Sequence, residues 1–286
     1  MRIGYVIERK KDMDLKNGIS AKGILMYLSI KHSGDWDRIY ADVKNKADVD
    51  GREIADAIAA CPHRTVTILD PEYPAALGKG SVNPPFVLYV EGDERLLSVS
   101  RDRILTVAGA GEPSDYSADF ARRVGKACAE RGVVLCAKLV RGCAIEALDA
   151  CANAGGRCIA VMSSGIDRPY PRSKEMLWTM SAILNAGGAV VSEYPDGTEP
   201  KPVGFVMSAR IVGAMGKVMF VPELRANGAS AMAVSFALNA GNDVAVLPTR
   251  ADDGTANNSL IKEGAMLVDD PDEFLDLEYP SGKGGI

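Results

Sequence analysis

The sequence predicts an α/β fold, a Rossmann-like, doubly wound and mainly parallel sheet that follows a small helical N-terminal domain. Three observations predict it. Apolar segments of strand length alternate with segments of helix length over the later two thirds of the chain. The strand candidates are apolar throughout, as expected for strands that are covered on both faces. The first 62 residues instead contain short amphipathic helical segments.

Length and composition allow one large α/β domain plus a smaller unit. The chain has 286 residues, of which 47% are hydrophobic and 25% charged, as is ordinary for a soluble globular protein. No apolar run approaches the roughly 20 residues that a membrane-spanning helix needs. We expect a cytoplasmic protein without membrane contact, with a helical domain at 1–62, a Rossmann-like domain at 63–275 and a polar tail at 276–286.

The N-terminal domain is predicted to contain three short helices. The segment SAKGILMYLSIKH places Ile24, Leu25 and Leu28 at helical spacing, and Ser20 can cap its start. The amphipathic segments DWDRIYADVKN and DGREIADAIAAC follow, and Pro62 ends the second of them. The proline-rich stretch 65–93 then predicts a connecting arm with one short strand at FVLYVEG.

Beyond the arm, six strands are predicted to alternate with five helices. The strands are ILTVA (104–108), VVLCA (133–137), CIAVM (158–162), AVVSE (189–193), VMFVP (218–222) and VAVLP (244–248), and the helices span 115–130, 143–154, 173–186, 205–215 and 228–240. This alternation is typical of parallel strands joined by right-handed crossovers. Ligands of such sheets bind at the carboxyl ends of the strands, so the loops that follow the strands form the candidate site.

The residue types argue against several kinds of catalytic or metal site. No pair of the six cysteines has CxxC spacing, and the two histidines, His32 and His63, lie outside the predicted parallel sheet. The first strand-end turn has Gly109 and Gly111 but lacks the third glycine of a dinucleotide fingerprint, and no acidic residue ends the next strand. We therefore expect no cofactor and no metal, and a binding protein rather than an enzyme.

The charge distribution leaves room for an anionic partner. The net charge of −5 by itself argues against nucleic acid. However, residues 121–174 contain ten Lys and Arg against four acids, whereas residues 251–286 contain nine acids against two bases. The acidic balance is therefore largely C-terminal, and the middle of the chain can form a basic face.

Three strand-end loops are candidates for binding phosphate. In the turn AGAGEPSDYS, Ser114 either caps the following helix or, with Gly109, contributes to an anion site. In AKLVRGCAIEA, Lys138, Arg141 and Gly142 form a basic turn at a helix start. Cations are unfavourable there unless an anion occupies the turn, although a solvated pair of charges is the alternative.

The third loop, SSGIDRPYPRSKEML, carries Arg168 and Arg172 on either side of Tyr170. Cations beside an aromatic ring suit a nucleic-acid backbone and a stacked base, while a rigid surface turn with Tyr170 packed inward is the alternative. Glu193 and Arg210 are predicted near the same edge. A further helix start, at Asn227 and Gly228, offers backbone N–H groups to an anion.

These segments, in this order, resemble the DNA-processing protein A family (DprA, also called Smf). The resemblance covers most of residues 65–268 and includes LDPEYPAAL, NPPFVLYVEGD, VAGAGEPSDYS, SGIDRPYP, GGAVVSEYPDGTEP, FVMSARIVGAM, NGASAMAVSFALNAGNDVAVLP and NNSLIKEGAMLV. It implies a Rossmann-like domain that binds single-stranded DNA, dimerises and helps to load the RecA recombinase during natural transformation. We expect a member without the C-terminal winged helix that some members carry.

Several loop residues depart from the family pattern. The family's Gly-Ser-Arg is Gly109-Ala110-Gly111 here, its Arg-Asn-Arg is Ser208-Ala209-Arg210, and its Ser-Gly-Ser is Asn227-Gly228-Ala229. Only Gly142 remains of the glycines in Ser-Gly-x-Ala-x-Gly-Ile-Asp, whereas the basic residue after YP is kept as Arg172. The predicted DNA- or phosphate-binding residues are Lys138, Arg141, Gly142, Arg168, Tyr170, Arg172, Arg210, Gly109, Ser114, Asn227 and Gly228, with Arg141 and Arg172 favoured over the first turn.

The sequence thus predicts a single-stranded DNA-binding protein of DNA uptake or recombination, with a RecA-type recombinase as partner. The apolar late helix SAMAVSFALNA and the resemblance predict a homodimer. The lost loop residues favour an alternative, a nucleotide-sensing or scaffold protein that no longer binds DNA. A nucleotide phosphoribohydrolase is a third possibility, but its Pro-Gly-Gly-x-Gly-Thr loop is absent and only Glu223 remains as a candidate carboxylate.

Overall fold

The N-terminal helices pack against the rest of the protein. The computed structural model describes residues 20–80, 83–225, 228 and 230–280. Its first helices are α1 (Ala21–Lys31), α2 (Trp36–Asn45) and α3 (Gly51–Ala60), as predicted. The indole Nε1 of Trp36 donates to the Pro84 carbonyl at 2.8 Å, and the Trp36 ring stacks on Phe86 at 5.2 Å between centroids. The domain boundaries at residues 62 and 275 stay predictions.

Within the described residues the strands form one nine-stranded sheet in the order β1-β2-β6-β5-β4-β3-β7-β8-β9. The strands are β1 (Arg64–Thr67), β2 (Val87–Gly92), β3 (Ile104–Val107), β4 (Val134–Lys138), β5 (Cys158–Val161), β6 (Ala189–Ser192), β7 (Val218–Val221), β8 (Asp243–Val246) and β9 (Met266–Leu267). Strands β3 to β9 pair in parallel, which confirms the predicted α/β class.

The remaining helices lie mostly between the strands. They are α4 (Ala75–Gly80), α5 (Asp115–Arg131), α6 (Cys143–Asn153), α7 (Lys174–Asn185), α8 (Pro202–Met215), α9 (Ser230–Asn239), α10 (Asn257–Lys262) and α11 (Pro271–Glu278), with short 3₁₀ helices at Glu94–Ser98 and Arg101–Arg103. The five predicted helices of the alternating region are all present, with ends that differ by a few residues. Helix α8 begins earlier than predicted because Pro202 is favourable in a first helical turn.

The predicted connecting arm contributes more strand than the sequence indicates. It contains β1 as well as the expected β2, and these two strands pair in an antiparallel direction. Strand β2 in turn pairs antiparallel with β6, so the arm extends the parallel sheet at one edge. The strand β1 was missed because its four residues, Arg64–Thr67, are mostly polar and lack the apolar run that marks the parallel strands.

The sheet is buried on both faces, which explains why its strands are apolar throughout. In β4, Leu135 and Ala137 join the cluster that includes side chains of α5, α6 and α7. Their neighbours Val134 and Cys136 point the other way, into the cluster that includes side chains of α8 and α9. Side chains alternate along a strand, so two covered faces require apolar residues at every position.

The strand order places a crevice between β3 and β7. From β3 the chain proceeds through β4 and β5 to β6 in one direction, and it then returns to β7 and continues through β8 to β9 in the other. The loops after β3 and β7 therefore diverge at the carboxyl edge of the sheet. Open α/β sheets bind their ligands at such a switch point.

Candidate nucleic-acid interface

A cleft of about 610 Å³ occupies this switch point. Its wall is formed by the loops after β3, β4 and β7 and by the inner sides of α8 and α9. Apolar groups line much of it, among them Val107, Val140, Ala144, Val212 and Ala233. Five of the predicted site residues also line it, namely Gly109, Lys138, Arg141, Tyr170 and Gly228.

Two loops approach so closely at the cleft that a side chain is excluded at Gly142. This residue has a φ of 93°, and a Cβ atom built on it would lie 2.1 Å from the Ala110 carbonyl oxygen. Both the positive φ and the close contact require glycine. Gly142 thus shapes the turn through its backbone, because it holds the β4 loop against the β3 loop.

The glycine turn after β3 already holds a carboxylate of this chain. The Ser114 backbone N–H and its Oγ hydroxyl both donate to Glu223 Oε2 at 2.8 Å, and Ser114 Oγ accepts from the Ser117 backbone as the cap of α5. Burial acts to raise the pKa of Glu223, but the hydrogen bonds from Ser114 and Ser117 and the charge of Arg225 hold the pKa below its usual range. The side chain of Glu223, only 2% exposed, therefore occupies the position that a phosphate would take at this helix start.

This arrangement also argues against a catalytic role for Glu223, the carboxylate considered for a phosphoribohydrolase. Glu223 was the candidate, and the structure shows it bound to Ser114 and, at 3.3 Å, to the Arg225 guanidinium. A carboxylate that is ionised, buried and fully engaged is poorly suited to act as a general acid or base.

Three cations reach the cleft, and each has a different partner. Lys138 Nζ donates to the Phe205 carbonyl at 3.1 Å and lies 5.2 Å from the centre of that ring. Arg141 is exposed and pairs with Glu112. Arg225, which sequence reasoning missed, donates to the Glu112 carbonyl at 3.2 Å. Its position just after a predicted strand was the signal that could have identified it.

The aromatic part of the interface is formed by two rings. Tyr170 is 56% exposed, and its ring meets that of Phe205 edge to face with centroids 5.8 Å apart. Phe205, on α8, was not predicted as a site residue. The alternative in which Tyr170 packs inward is not observed, so its face is available for stacking.

The other basic residues of the Tyr170 loop lie outside the cleft. Arg168 pairs with Asp167 at 3.1 Å and with Glu199 at 3.6 Å. Arg172 is exposed, and no ion pair to it forms within the part of the chain that the structure describes. Asn227, another predicted site residue, lies outside the described residues.

Arg210 was expected on the exposed rim, and the structure places it in the interior instead. Its Nη2 pairs with Glu193 Oε2 at 2.5 Å, and its side chain is 2% exposed. The Nε and Nη1 atoms of Arg210 are buried and have no hydrogen-bond partner. Burial raises the pKa of Glu193 even though Arg210 opposes the shift. Arg210 faces the sheet because it lies on the inner side of α8, a direction that the short sequence motif does not reveal.

The described residues contain no cluster of three or more His, Cys, Asp or Glu that could hold a metal ion. Among their helices, none has both the length and the apolar character required to cross a membrane.

Sequence comparison relates this chain to proteins of DNA processing. A model of the family described as DNA recombination-mediator protein A matches residues 64–278. Protein Smf of Escherichia coli K12 is 31% identical over 194 residues, which cover 67% of this chain and 50% of that protein. The DNA processing protein DprA of Streptococcus pneumoniae R6 is 26% identical over 275 residues, which cover 91% of this chain and 94% of that protein. The chain spans about half the length of the Smf proteins of E. coli and Synechocystis, 50% and 52%.

Solved structures show the same fold. The X-ray structure of DNA processing protein A from S. pneumoniae matches with a TM-score of 0.70 at 24% identity and covers 96% of this chain and 97% of its own. DNA processing protein A from Helicobacter pylori, described for its single-stranded DNA binding mode, matches with a TM-score of 0.66 at 22% identity. That match covers 76% of this chain and 96% of the H. pylori chain.

Proposed function

Because the chain belongs to the DNA recombination-mediator protein A family, we propose that it binds single-stranded DNA at the cleft between the loops after β3, β4 and β7. The observation that carries this proposal is the convergence of Lys138, Arg141 and Arg225 on one cleft beside the exposed ring of Tyr170. Cations neutralise consecutive phosphates, and an exposed ring stacks on a base regardless of its identity. The H. pylori relative, described for its single-stranded DNA binding mode, supports the proposal.

The strand would leave the cleft along the Tyr170 loop. Arg172 lies on this loop with no carboxylate paired to it in the described part of the chain, so its full charge is available to a phosphate. Arg141, by contrast, must exchange Glu112 for a phosphate. Such an exchange lowers the gain from the new contact, since an exposed ion pair is given up.

We assign the protein to DNA uptake or recombination, where it would act as a homodimer and deliver single-stranded DNA to a RecA-type recombinase. The family supports this role. The described cysteines are free thiols, as is usual in the reducing cytoplasm, where this role would be carried out. In this role the protein is a binding protein rather than an enzyme.

A salt-dependent titration of fluorescent oligo-dT tests the proposal. Each phosphate contact on a single strand adds about 0.7 to the slope of log K against log salt. We expect the affinity for oligo-dT to fall as the salt concentration rises, with a slope that corresponds to several phosphate contacts. Failure of the parent protein to bind oligo-dT at low salt would overturn the proposal.

A nucleotide-binding protein without DNA binding is the second candidate. The observation in its favour is the concave shape of the cleft, whose volume of about 610 Å³ suits a small ligand. The neutralisation of Arg141 and Arg225 by acids of the same chain also favours it. Calorimetry with mononucleotides distinguishes the two candidates, because this one requires tight binding of a free nucleotide and none of oligo-dT.

A further inference from the structure

Lys138 is a cation of the cleft that has no carboxylate partner among the described residues. It is the last residue of β4, its side chain is partly buried, and its Nζ contacts the carbonyl and the ring of Phe205 on α8. The two acids near the cleft are engaged elsewhere. Glu112 pairs with Arg141, and Glu223 is bound by Ser114 and Arg225.

This environment raises the share of neutral amine at Lys138. Besides Phe205, the groups that face the cleft around Lys138 are Tyr170 before α7, Arg141 after β4, Arg225 after β7 and Glu112 after β3. Burial lowers the pKa of the Lys138 amine to about 8. At pH 7 the share of free amine is then roughly 200 times that of an ordinary lysine with a pKa of about 10.4. A free amine is the nucleophilic form of lysine.

We propose that Lys138 Nζ captures an aldehyde in the cleft as a reversible imine, and that the aldehyde is the ring-opened C1′ carbonyl of an abasic deoxyribose in single-stranded DNA. This inference rests on the proposed function, since the strand brings the sugar to the cleft. An abasic sugar carries no base, so it can enter between the small side chains Ala144 and Ala209 that line the cleft. Arg141 and Arg225 attract the flanking phosphates.

The chemistry balances without an oxidant or a reductant. The lone pair of Nζ attacks C1′, and a proton moves from the nitrogen to the former carbonyl oxygen, which gives a carbinolamine. Loss of that hydroxyl with the second amine proton releases water and forms the C=N bond. Addition of water reverses both steps and regenerates the free amine and the aldehyde.

Reductive trapping tests this inference. The protein is incubated with an oligo-dT that contains one abasic site, borohydride is added, and the covalent complex is measured by gel and mapped by mass spectrometry. The expected result is a cross-link at Lys138 that Lys138→Arg reduces at least tenfold, while Lys201→Arg, a change at an exposed lysine outside the cleft, leaves it unchanged. An intact oligo-dT should give no cross-link.

The pH profile separates Lys138 from an ordinary lysine. Between pH 7 and pH 9 the free amine of Lys138 should rise about tenfold, whereas that of an ordinary lysine rises about a hundredfold. Binding measured by anisotropy on the same abasic oligonucleotide distinguishes the two proposals. Binding without a cross-link, or a cross-link mapped to other lysines, overturns the inference alone. No binding of either oligonucleotide overturns the proposed function and the inference with it.

Discussion

At the scale of single residues, the surroundings of each cation decide what it can bind. Arg172 and Arg210 were both predicted to contact phosphate. Arg172 is exposed and free of any described ion pair, whereas Arg210 is buried against Glu193. Arg172 can therefore neutralise a phosphate from solution, whereas Arg210 neutralises only Glu193.

Removing the exposed cations should weaken DNA binding without changing base preference. Arg172→Ala is expected to reduce affinity for oligo-dT and for mixed sequences by similar factors and to flatten the salt slope by about 0.7. The double variant Arg141→Ala with Arg172→Ala should lose more than either single variant. Fluorescence anisotropy at several salt concentrations measures both quantities.

Arg95→Ala provides the matched control. Arg95 is exposed and follows β2, whose antiparallel direction places it at the opposite edge of the sheet from the cleft. This control should bind like the parent protein. A double variant that also binds like the parent, with an unchanged salt slope, would exclude Arg141 and Arg172 as contacts.

Breaking the buried ion pair should destabilise the fold. Glu193→Gln leaves the Arg210 charge buried without a counter-ion, and such a loss costs about 3–5 kcal/mol. Replacing both partners, with Glu193→Leu and Arg210→Met, should cost less because no buried charge remains. Urea denaturation measures the free energy of unfolding. A cost of under about 1 kcal/mol for Glu193→Gln would contradict the structural role of the pair.

Lys138 should make stability depend on alkaline pH. Burial lowers its pKa to about 8 in the folded protein, while in the unfolded chain the pKa is about 10.4. Between these values the unfolded chain binds more protons at this lysine, so the contribution of Lys138 to the free energy of unfolding rises with pH, by up to about 3 kcal/mol. The buried thiols of Cys128, Cys136 and Cys143, whose pKa values burial raises, contribute with the opposite sign over the same range. Well below pH 8 the lysine is mostly protonated in both states and its contribution changes little.

Urea denaturation at pH 7.5 and pH 10 tests this prediction. Lys138→Met should be more stable than the parent at pH 7.5, and this difference should shrink by pH 10, because only the parent gains stability from Lys138 as pH rises. Lys201→Met, at an exposed lysine, serves as the control. The same change with pH in the parent and in Lys138→Met would show that other groups produce the pH dependence.

At the scale of secondary-structure elements, the site depends on how strand ends meet helix starts. The N-terminus of α5 has the geometry of an anion site, but Glu223 from the loop after β7 satisfies it. The start of α6 is set by Gly142, which has no capping side chain. These two helix starts hold the loops around the cleft in place.

Gly142→Ala should disturb the start of α6 strongly. The new Cβ would lie 2.1 Å from the Ala110 carbonyl at a positive φ, so both strain and a backbone clash are expected. A loss of more than about 2 kcal/mol is expected, together with weaker oligo-dT binding. Gly155→Ala, just beyond the other end of α6, is the control, since it has a φ of 79° but nothing within 4 Å of its Cβ position. Similar losses in both variants would mean that strain alone accounts for the effect.

At the scale of the whole molecule, we expect a homodimer. Helix α9 covers α8 with Ala233, Val234 and Ala237, yet Leu238 and Met232 on the same helix are 56% and 41% exposed. We expect a second copy to cover these two side chains as part of an apolar surface patch. Sedimentation at micromolar concentration should show a dimer for the parent protein and a shift toward monomer for Leu238→Glu. The change Leu277→Glu, at an exposed leucine on α11, should leave the dimer intact. A parent protein that is monomeric throughout would contradict the prediction.

Much of the sheet could be predicted because its signals are local. The apolar runs at VVLCA and CIAVM, with a helix-length segment between them, indicated parallel pairing, and β4 and β5 pair in that way. The antiparallel edge was less visible. Strand β1 is mostly polar and shows no apolar run, and strands β2 and β6, which pair with each other, are far apart in the chain. Of the site residues, Gly109, Lys138, Arg141, Tyr170 and Gly228 were predicted and line the cleft.

The sequence by itself determined the alternation of strands and helices in the parallel part of the sheet, the two covered faces of that sheet and the edge at which we propose that a ligand binds. Each of these follows from hydrophobic period and segment length, which are properties of neighbouring residues. Only the tertiary structure decided which charges meet. Ser114 and Glu223, which are 109 positions apart, are joined by hydrogen bonds at the turn after β3. Arg225 lines the cleft, whereas Arg210 is buried in the interior. The charge state and exposure of a side chain depend on groups that packing brings together from distant parts of the chain. A local sequence pattern does not identify those groups.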